Sequence, residues 1–374
     1  NAQGLVENVQ ILSSNLVQNG DFSEEGVQEV SNGSFSQEGS EIIVNGDFAT
    51  DSNWDGQATI SNGQLTKNDN GLVRQYTLDV SVKYYKVIVD VEILGSSLSV
   101  YLGGVNQLLS QGVNTIYMQS GGSNNLVGFN NGNGSIISNF SVREVGQDWS
   151  LGSGWSIAED KAVCDGTTNN AISQTTISSV VGKSYKIDFT IDDYVTGNIR
   201  IYFGGVFTPF VNVNGVYSFY ITATAVDALA TSAYGLFNGS ITNISVKEVG
   251  QNWTLNDWNI GSNIASITNA VGSYNDSSLW QTITFDAAKK YKVSINITSI
   301  TGALAIYTGT YSQRENITTT GVKTFILDLT SESDRFNILP TASSDVTITN
   351  ISVIEITDDT NLPRINYEGF SYQD

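Results

Sequence analysis

The 374-residue chain contains no histidine. That removes the usual general base, the commonest metal ligand and every Ser-His or Cys-His relay. Catalysis by paired carboxylates survives this exclusion, because 37 Asp and Glu residues are present. Cys164 is the single cysteine, so no intrachain disulfide forms and stability must come from burial. Set in AVCDG, it reads as a small core residue rather than a nucleophile. Prolines number only three, at 209, 340 and 363, which suits paired strands. No apolar run approaches the roughly eighteen residues of a membrane helix. Basic residues are scarce, 17 against those 37 acids, for a net charge of -20. Such a chain repels phosphate backbones and anionic bilayers, so nucleic-acid binding and membrane insertion are not expected.

What is present is β-forming. Hydrophobic residues make up 40% and aromatics 10%, enough for real cores, while only 14% are charged. Repetition is the strongest signal. NGSIISNFSVREVGQDW (133–149) returns as NGSITNISVKEVGQNW (238–253) and, more worn, as SDVTITNISVIEI (344–356). Asn139, Asn243 and Asn350 are thereby equivalent, 104 and 107 residues apart. VKYYKVIVDVEI, GKSYKIDFTI and AKKYKVSINI place Tyr85, Tyr185 and Tyr291 at the head of one strand in each copy. SVYLGG, RIYFGG and AIYTGT follow in the same order. Period-two runs such as Val87, Val89 and Val91, punctuated by Gly, Asn and Asp, predict an all-β fold of three tandem antiparallel β-sandwiches. The expected divisions are 42–145, 146–249 and 250–357, after an N-terminal arm over 1–41. The arm repeats one phrase: Asn19-Gly20-Asp21-Phe22, Asn32-Gly33-Ser34-Phe35 and Asn45-Gly46-Asp47-Phe48, thirteen residues apart.

NGDF followed by Trp54, closed by ISNFSVREV, resembles the jelly-roll, carbohydrate-binding-module-like domains found in tandem in bacteriophage tail fibres and other virion appendages. EVGQDWSLGSGWSIAEDKAVCDG (144–166) resembles the junctions between such copies. Residues 358–374 resemble a linker into a further, lectin-like domain. The resemblance implies a non-enzymatic structural spacer and glycan-binding adhesin on the virion surface or outside the cell. Its implied partners are copies of itself, such as a trimer, other virion proteins and polysaccharide. The alternatives are accessory modules of a secreted polysaccharide-active protein, or a purely structural subunit. Related sugar-binding modules often hold a structural calcium, but Asn139, Asn243 and Asn350 stand where acids would serve it. KNDNG (67–71) and DGTTNN (165–170) read as turns, so no cofactor is assigned.

Parity selects the candidate ligand residues. Leu98, Val100 and Leu102 share one face, which turns Tyr101 outward with Ser99. Ile199, Ile201 and Phe203 do the same for Arg200 and Tyr202, and Leu304 and Ile306 for Ala305 and Tyr307. Tyr101, Tyr202, Tyr307 and Arg200 are therefore the candidate glycan contacts, set against the simpler reading of a cross-strand aromatic shield. Trp54, Trp155 and Trp258 appear equivalent and read as core plugs rather than sugar platforms. NGDF is expected in a first strand. The spare copies, with Phe22, Phe35 and Phe48 as anchors, then read as a tolerated linker or as an assembly arm adding strands to a sheet edge.

Overall fold

The computed structural model describes residues 11–308, 314–329 and 332–357; the expected C-terminal linker lies outside them. Every strand pairing is antiparallel, and one four-residue helix, Tyr274–Ser277, is present among the described residues. Buried residues form three separate cores, each enclosed between two β layers. The all-β sandwich fold follows from the alternation read in the sequence. Val87, Val89 and Val91 are fully buried, as are Leu98, Val100 and Leu102 on the facing sheet.

In the first sandwich, one sheet runs Gly112–Gln119, Tyr84–Ile93, Ile136–Val145, Gln64–Lys67, Ala58–Ser61. The facing sheet runs Val73–Gln75, Val127–Asn131, Leu98–Leu102, Val105–Leu108. The third sandwich repeats this plan. In the second, the long strands Ser184–Phe203 and Leu229–Val249 bend through both layers and join them into one nine-stranded sheet. Neighbouring sandwiches touch directly: the Tyr84 hydroxyl donates to the Trp155 carbonyl at 2.7 Å, and Thr222 donates to Asn259 at 2.8 Å.

The arm strands do not form a layer of their own. Glu38–Glu41 pairs with Ile136–Val145, Glu25–Gln28 with Leu229–Val249, and Ile11–Asn15 with Asp345–Thr357. The order is reversed, so the first arm segment serves the last sandwich. In each sandwich this final strand is bordered along its first half by a strand of the same sandwich. Gln64–Lys67 meets only Ile136 and Ile137, for example. The second half of that edge is left open, and the arm segment occupies it.

NGDF and its copies are tight turns rather than first strands, which corrects the expectation. Asn19, Asn32 and Asn45 have φ of 48°, 46° and 54°, and Phe22, Phe35 and Phe48 have 57°, 56° and 54°. Each Phe N–H donates to its Asn carbonyl at 3.1–3.3 Å, closing the turn. Each Asn Oδ1 also accepts an N–H five residues on, from Glu24, Gln37 and Thr50. This local bonding explains why Asn tolerates the left-handed conformation here.

Glycine is required for a different reason. The carbonyls of Gly20, Gly33 and Gly46 accept N–H bonds from Ile351, Ile244 and Phe140 at 2.8–2.9 Å. A Cβ on these glycines would lie 2.1, 1.9 and 2.0 Å from the carbonyl oxygens of the same three residues. Each contact sits at a bulge in the last strand, beside Asn139, Asn243 and Asn350. Asn243 and Asn350 take φ of 53° and 51°, the backbone reason for their recurrence. Phe22, Phe35 and Phe48 then enter the three cores at 2%, 1% and 1% exposure.

A second lock ties the arm to the facing sheet. Buried Gln75, Gln174 and Gln281 each exchange two hydrogen bonds with one arm backbone unit, Val44, Ser31 and Gln18 respectively, at 2.6–3.0 Å. The arm therefore closes one end of each sandwich by holding both sheets. Phe35→Ala is expected to cost about 3–5 kcal/mol in the second sandwich, read as a lowered midpoint in chemical unfolding. Gln174→Ala, which strips both partners from Ser31, is expected to cost about 1–3 kcal/mol. A midpoint unmoved by either substitution would contradict this docking.

Candidate functional site

Strand register places the three sequence-selected tyrosines at one position of the second sheet. Across that sheet run Arg74–Gly128–Tyr101–Asn106, then Ser173–Ala230–Tyr202–Phe207, then Trp280–Asn337–Tyr307–Arg314. All three tyrosines lie opposite in parity to fully buried neighbours and outside the three cores. Their surroundings differ. Tyr101 is half-buried and accepts a 2.8 Å bond from Asn124 Nδ2. Tyr202 is half-buried and donates to Asp227 at 2.7 Å; that bond raises its phenol pKa. Tyr307 is only 4% exposed, which corrects the expectation of an outward, accessible ring. Ala305, two residues before it, is fully buried as well.

Arg200 does not stand free either. Its guanidinium lies 3.6 Å from the Phe207 ring centroid and 4.2 Å from that of Phe210, a geometry that favours cation–π attraction. Phe207 is 44%, Phe210 43% and Tyr234 65% exposed, and Phe210 contacts Tyr234 with centroids 5.8 Å apart. These three aromatics escaped the sequence reading. The VFTPF segment (206–210) was the available signal, but it lies in a connection without a period. In the first sandwich the corresponding face carries a closed network. Arg74 bonds Asp55 at 2.9 Å and the Tyr76 hydroxyl at 3.0 Å, while Tyr76 donates to Asp55 at 2.6 Å. These two donors hold the Asp55 carboxyl below its ordinary pKa.

The third sandwich has a cavity of about 530 Å³ on this face, lined by Tyr274, Tyr307, Ser333, Asp334, Arg335 and Asn337, among others. Arg335 lies 4.3 Å over Trp280 and donates to the Tyr274 hydroxyl. Asn337 is 2% exposed, and its Oδ1 is buried without a hydrogen-bond partner.

The tryptophans divide differently from the expected set. Trp155 and Trp258 begin or precede equivalent hairpins, are 2% and 1% exposed, and donate to the carbonyls of Asn170 and Ser277. Ala58 holds that hairpin position in the first sandwich. Trp54 instead matches Trp149 and Trp253: each indole donates to the turn Asn carbonyl, of Asn45, Asn32 and Asn19, and packs on the turn Phe at 5.0–5.5 Å. Thus QDW and QNW supply the indole that clasps an arm turn from far upstream. Cys164 is fully buried, and burial pushes its thiol pKa up.

Both acidic loops are turns. Asp69 Oδ1 accepts the Gly71 N–H at 2.8 Å, and Asp165 Oδ1 accepts that of Thr167 at 2.9 Å. Lys67, 1% exposed, directs its ammonium to the Gly71 and Phe129 carbonyls at 2.5 and 3.2 Å. Burial pulls its pKa down to about 8 from 10.5. Between those values the folded chain binds fewer protons than the unfolded chain, so this group's contribution to stability improves as pH rises from about 8 toward 10.5. The difference in unfolding free energy between the native chain and Lys67→Met is expected to shift with that sign between pH 8 and 10. A pH-independent difference would contradict it.

No protein-family model and no curated protein matches the chain. Solved structures that match include the tandem CBM22-1–CBM22-2 domain of Paenibacillus barcinonensis Xyn10C, at 10% identity, covering 57% of this chain and 99% of that one, TM-score 0.20. A serum fucolectin of striped bass (Morone saxatilis) matches at 12% identity, covering 50% and 82%, TM-score 0.19. The triple jelly-roll protein of an archaeal virus turret matches at 14% identity, covering 81% and 88%, TM-score 0.20. At such scores these likenesses carry no weight for function, and the fold rests on the strand pairing itself.

Proposed function

We propose that the chain is a non-catalytic spacer and adhesin of a virion appendage, exposed on the virion surface and directed at cell-surface or environmental polysaccharide. One observation carries this reading. The first and second sandwiches, tied in series with the third by one arm, each present a half-buried tyrosine at the same register position of the outer second-sheet face, where the third carries the buried Tyr307. Aromatic faces suit the apolar faces of sugar rings, and hydroxyl and amide groups beside them suit sugar hydroxyls. Individually weak sites gain avidity through repetition and through self-association into a homo-oligomer such as a trimer. The virion setting rests on the resemblance of the NGDF and EVGQDW motifs. A net charge of -20 fits display outside nucleic-acid and bilayer contacts.

A second reading, a purely structural subunit, has its own support. Phe207, Phe210, Tyr234 and Leu236, from 43% to 65% exposed, form the kind of apolar surface that a neighbouring subunit would cover. A glycan array on the full chain, run beside sedimentation analysis, separates the two. The adhesin reading expects glycan retention that falls on the order of ten-fold in Tyr101→Ala/Tyr202→Ala/Phe210→Ser, with the oligomeric state unchanged. Loss of self-association in that variant, with no glycan retained by the native chain, would establish the structural reading instead.

A further inference from the structure

We propose that the cavity on the outer face of the third sandwich binds a saccharide unit bearing a carboxylate. This rests on the adhesin reading and names its ligand class. The register Trp280–Asn337–Tyr307 puts an amide between two aromatic rings on three adjacent strands. The corresponding middle residues are Gly128 and Ala230 in the other sandwiches, so only the third buries a polar group at this position. Asn337 is 2% exposed with Oδ1 unpartnered, and it lines the cavity. A buried acceptor without a donor is costly to fold, and a ligand hydroxyl removes that cost.

The second requirement comes from Arg335. The chain has a net charge of -20, yet no ion pair to Arg335 is formed among the described residues. Its guanidinium is held between the Trp280 ring at 4.3 Å and the Tyr274 hydroxyl. These two contacts position the guanidinium, and its planar fork suits bidentate pairing with a carboxylate. Arg74, by contrast, is already neutralised by Asp55 at 2.9 Å. Asp334 on the cavity wall offers an acceptor to further hydroxyls and disfavours a small, purely anionic ligand. One ligand class meets all three demands: a sugar with hydroxyl donors for Asn337 and Asp334 and a carboxylate for Arg335. The cavity, about 530 Å³, lies within the range of about 300–1,000 Å³ usual for small-ligand sites.

The test is calorimetric titration of the full chain with two carboxylated probes, oligogalacturonate and sialyllactose, and with a neutral galacto-oligosaccharide. At least one carboxylated probe is expected to bind. Arg335→Gln is expected to weaken it on the order of ten-fold or more, with unchanged thermal unfolding. Arg335→Lys keeps the charge without the fork and is expected to weaken it as well, which guards against misfolding of the first variant. Binding undiminished in both variants, or no binding of either carboxylated probe, would overturn the proposal. If neutral glycans are retained while both carboxylated probes fail, this inference falls and the adhesin reading stands. If no glycan of any kind binds, both fall.

Discussion

The structure depends on one backbone contact made three times: a last-strand N–H at a bulge donating to the glycine carbonyl of an arm turn. A bulge in a final strand breaks the ladder and leaves polar groups facing outward over half an edge. Water could satisfy them, but the same place is where the two sheets part and the core opens. The arm turn supplies the acceptor and a phenylalanine together. The Gln75, Gln174 and Gln281 amides then bind the arm residue just before each turn to the opposite sheet. Edge pairing, core closure and sheet-to-sheet bracing thus belong to one thirteen-residue unit.

Reversed docking has topological and electrostatic consequences. The arm reaches partners 101, 218 and 338 residues away, at Val142, Val246 and Val353. Contacts so distant add to the share of long-range pairing, which slows folding more than it lowers stability. Two of the three docked segments are also held by ion pairs. Glu38 meets Lys86 at 2.6 Å and Arg143 at 3.8 Å, and Glu25 meets Lys186 and Lys247 at 2.6 and 2.9 Å. Those lysines hold the Glu25 carboxyl below its ordinary pKa. In the third docking the backbone register sets Leu12 opposite Ile356 and Asn15 opposite Ile354. Glu25 and Glu38 thus meet equivalent cations, so charge anchors these two segments without telling their sandwiches apart.

Much of this was legible in the sequence. Strand parity located Val87, Tyr101 and Ile201 on their correct faces, because period two is a local property. Repetition of Asn139, Asn243 and Asn350 marked something obligatory, though not that it was a bulge. The function of NGDF was not legible as a strand motif, because its meaning is left-handed backbone meeting a carbonyl more than a hundred residues away in two of three cases. The equivalence of Trp54 with Trp149 and Trp253 was hidden for the same reason, since their shared partner is the arm and not the local hairpin. Tyr307 was placed on the right face, but it is buried, which no periodicity announces. Asn337 in the cavity beside it stands where the other sandwiches carry Gly128 and Ala230, a single change that no pattern marks.

Hydrogen–deuterium exchange on the intact chain addresses the central claim most directly. The account predicts that the amides of Gln18, Ser31 and Val44, each bonded to a buried glutamine, exchange as slowly as those of the last strands at Ile351, Ile244 and Phe140. Exchange of the three arm amides at coil rates, with the last strands still protected, would contradict it.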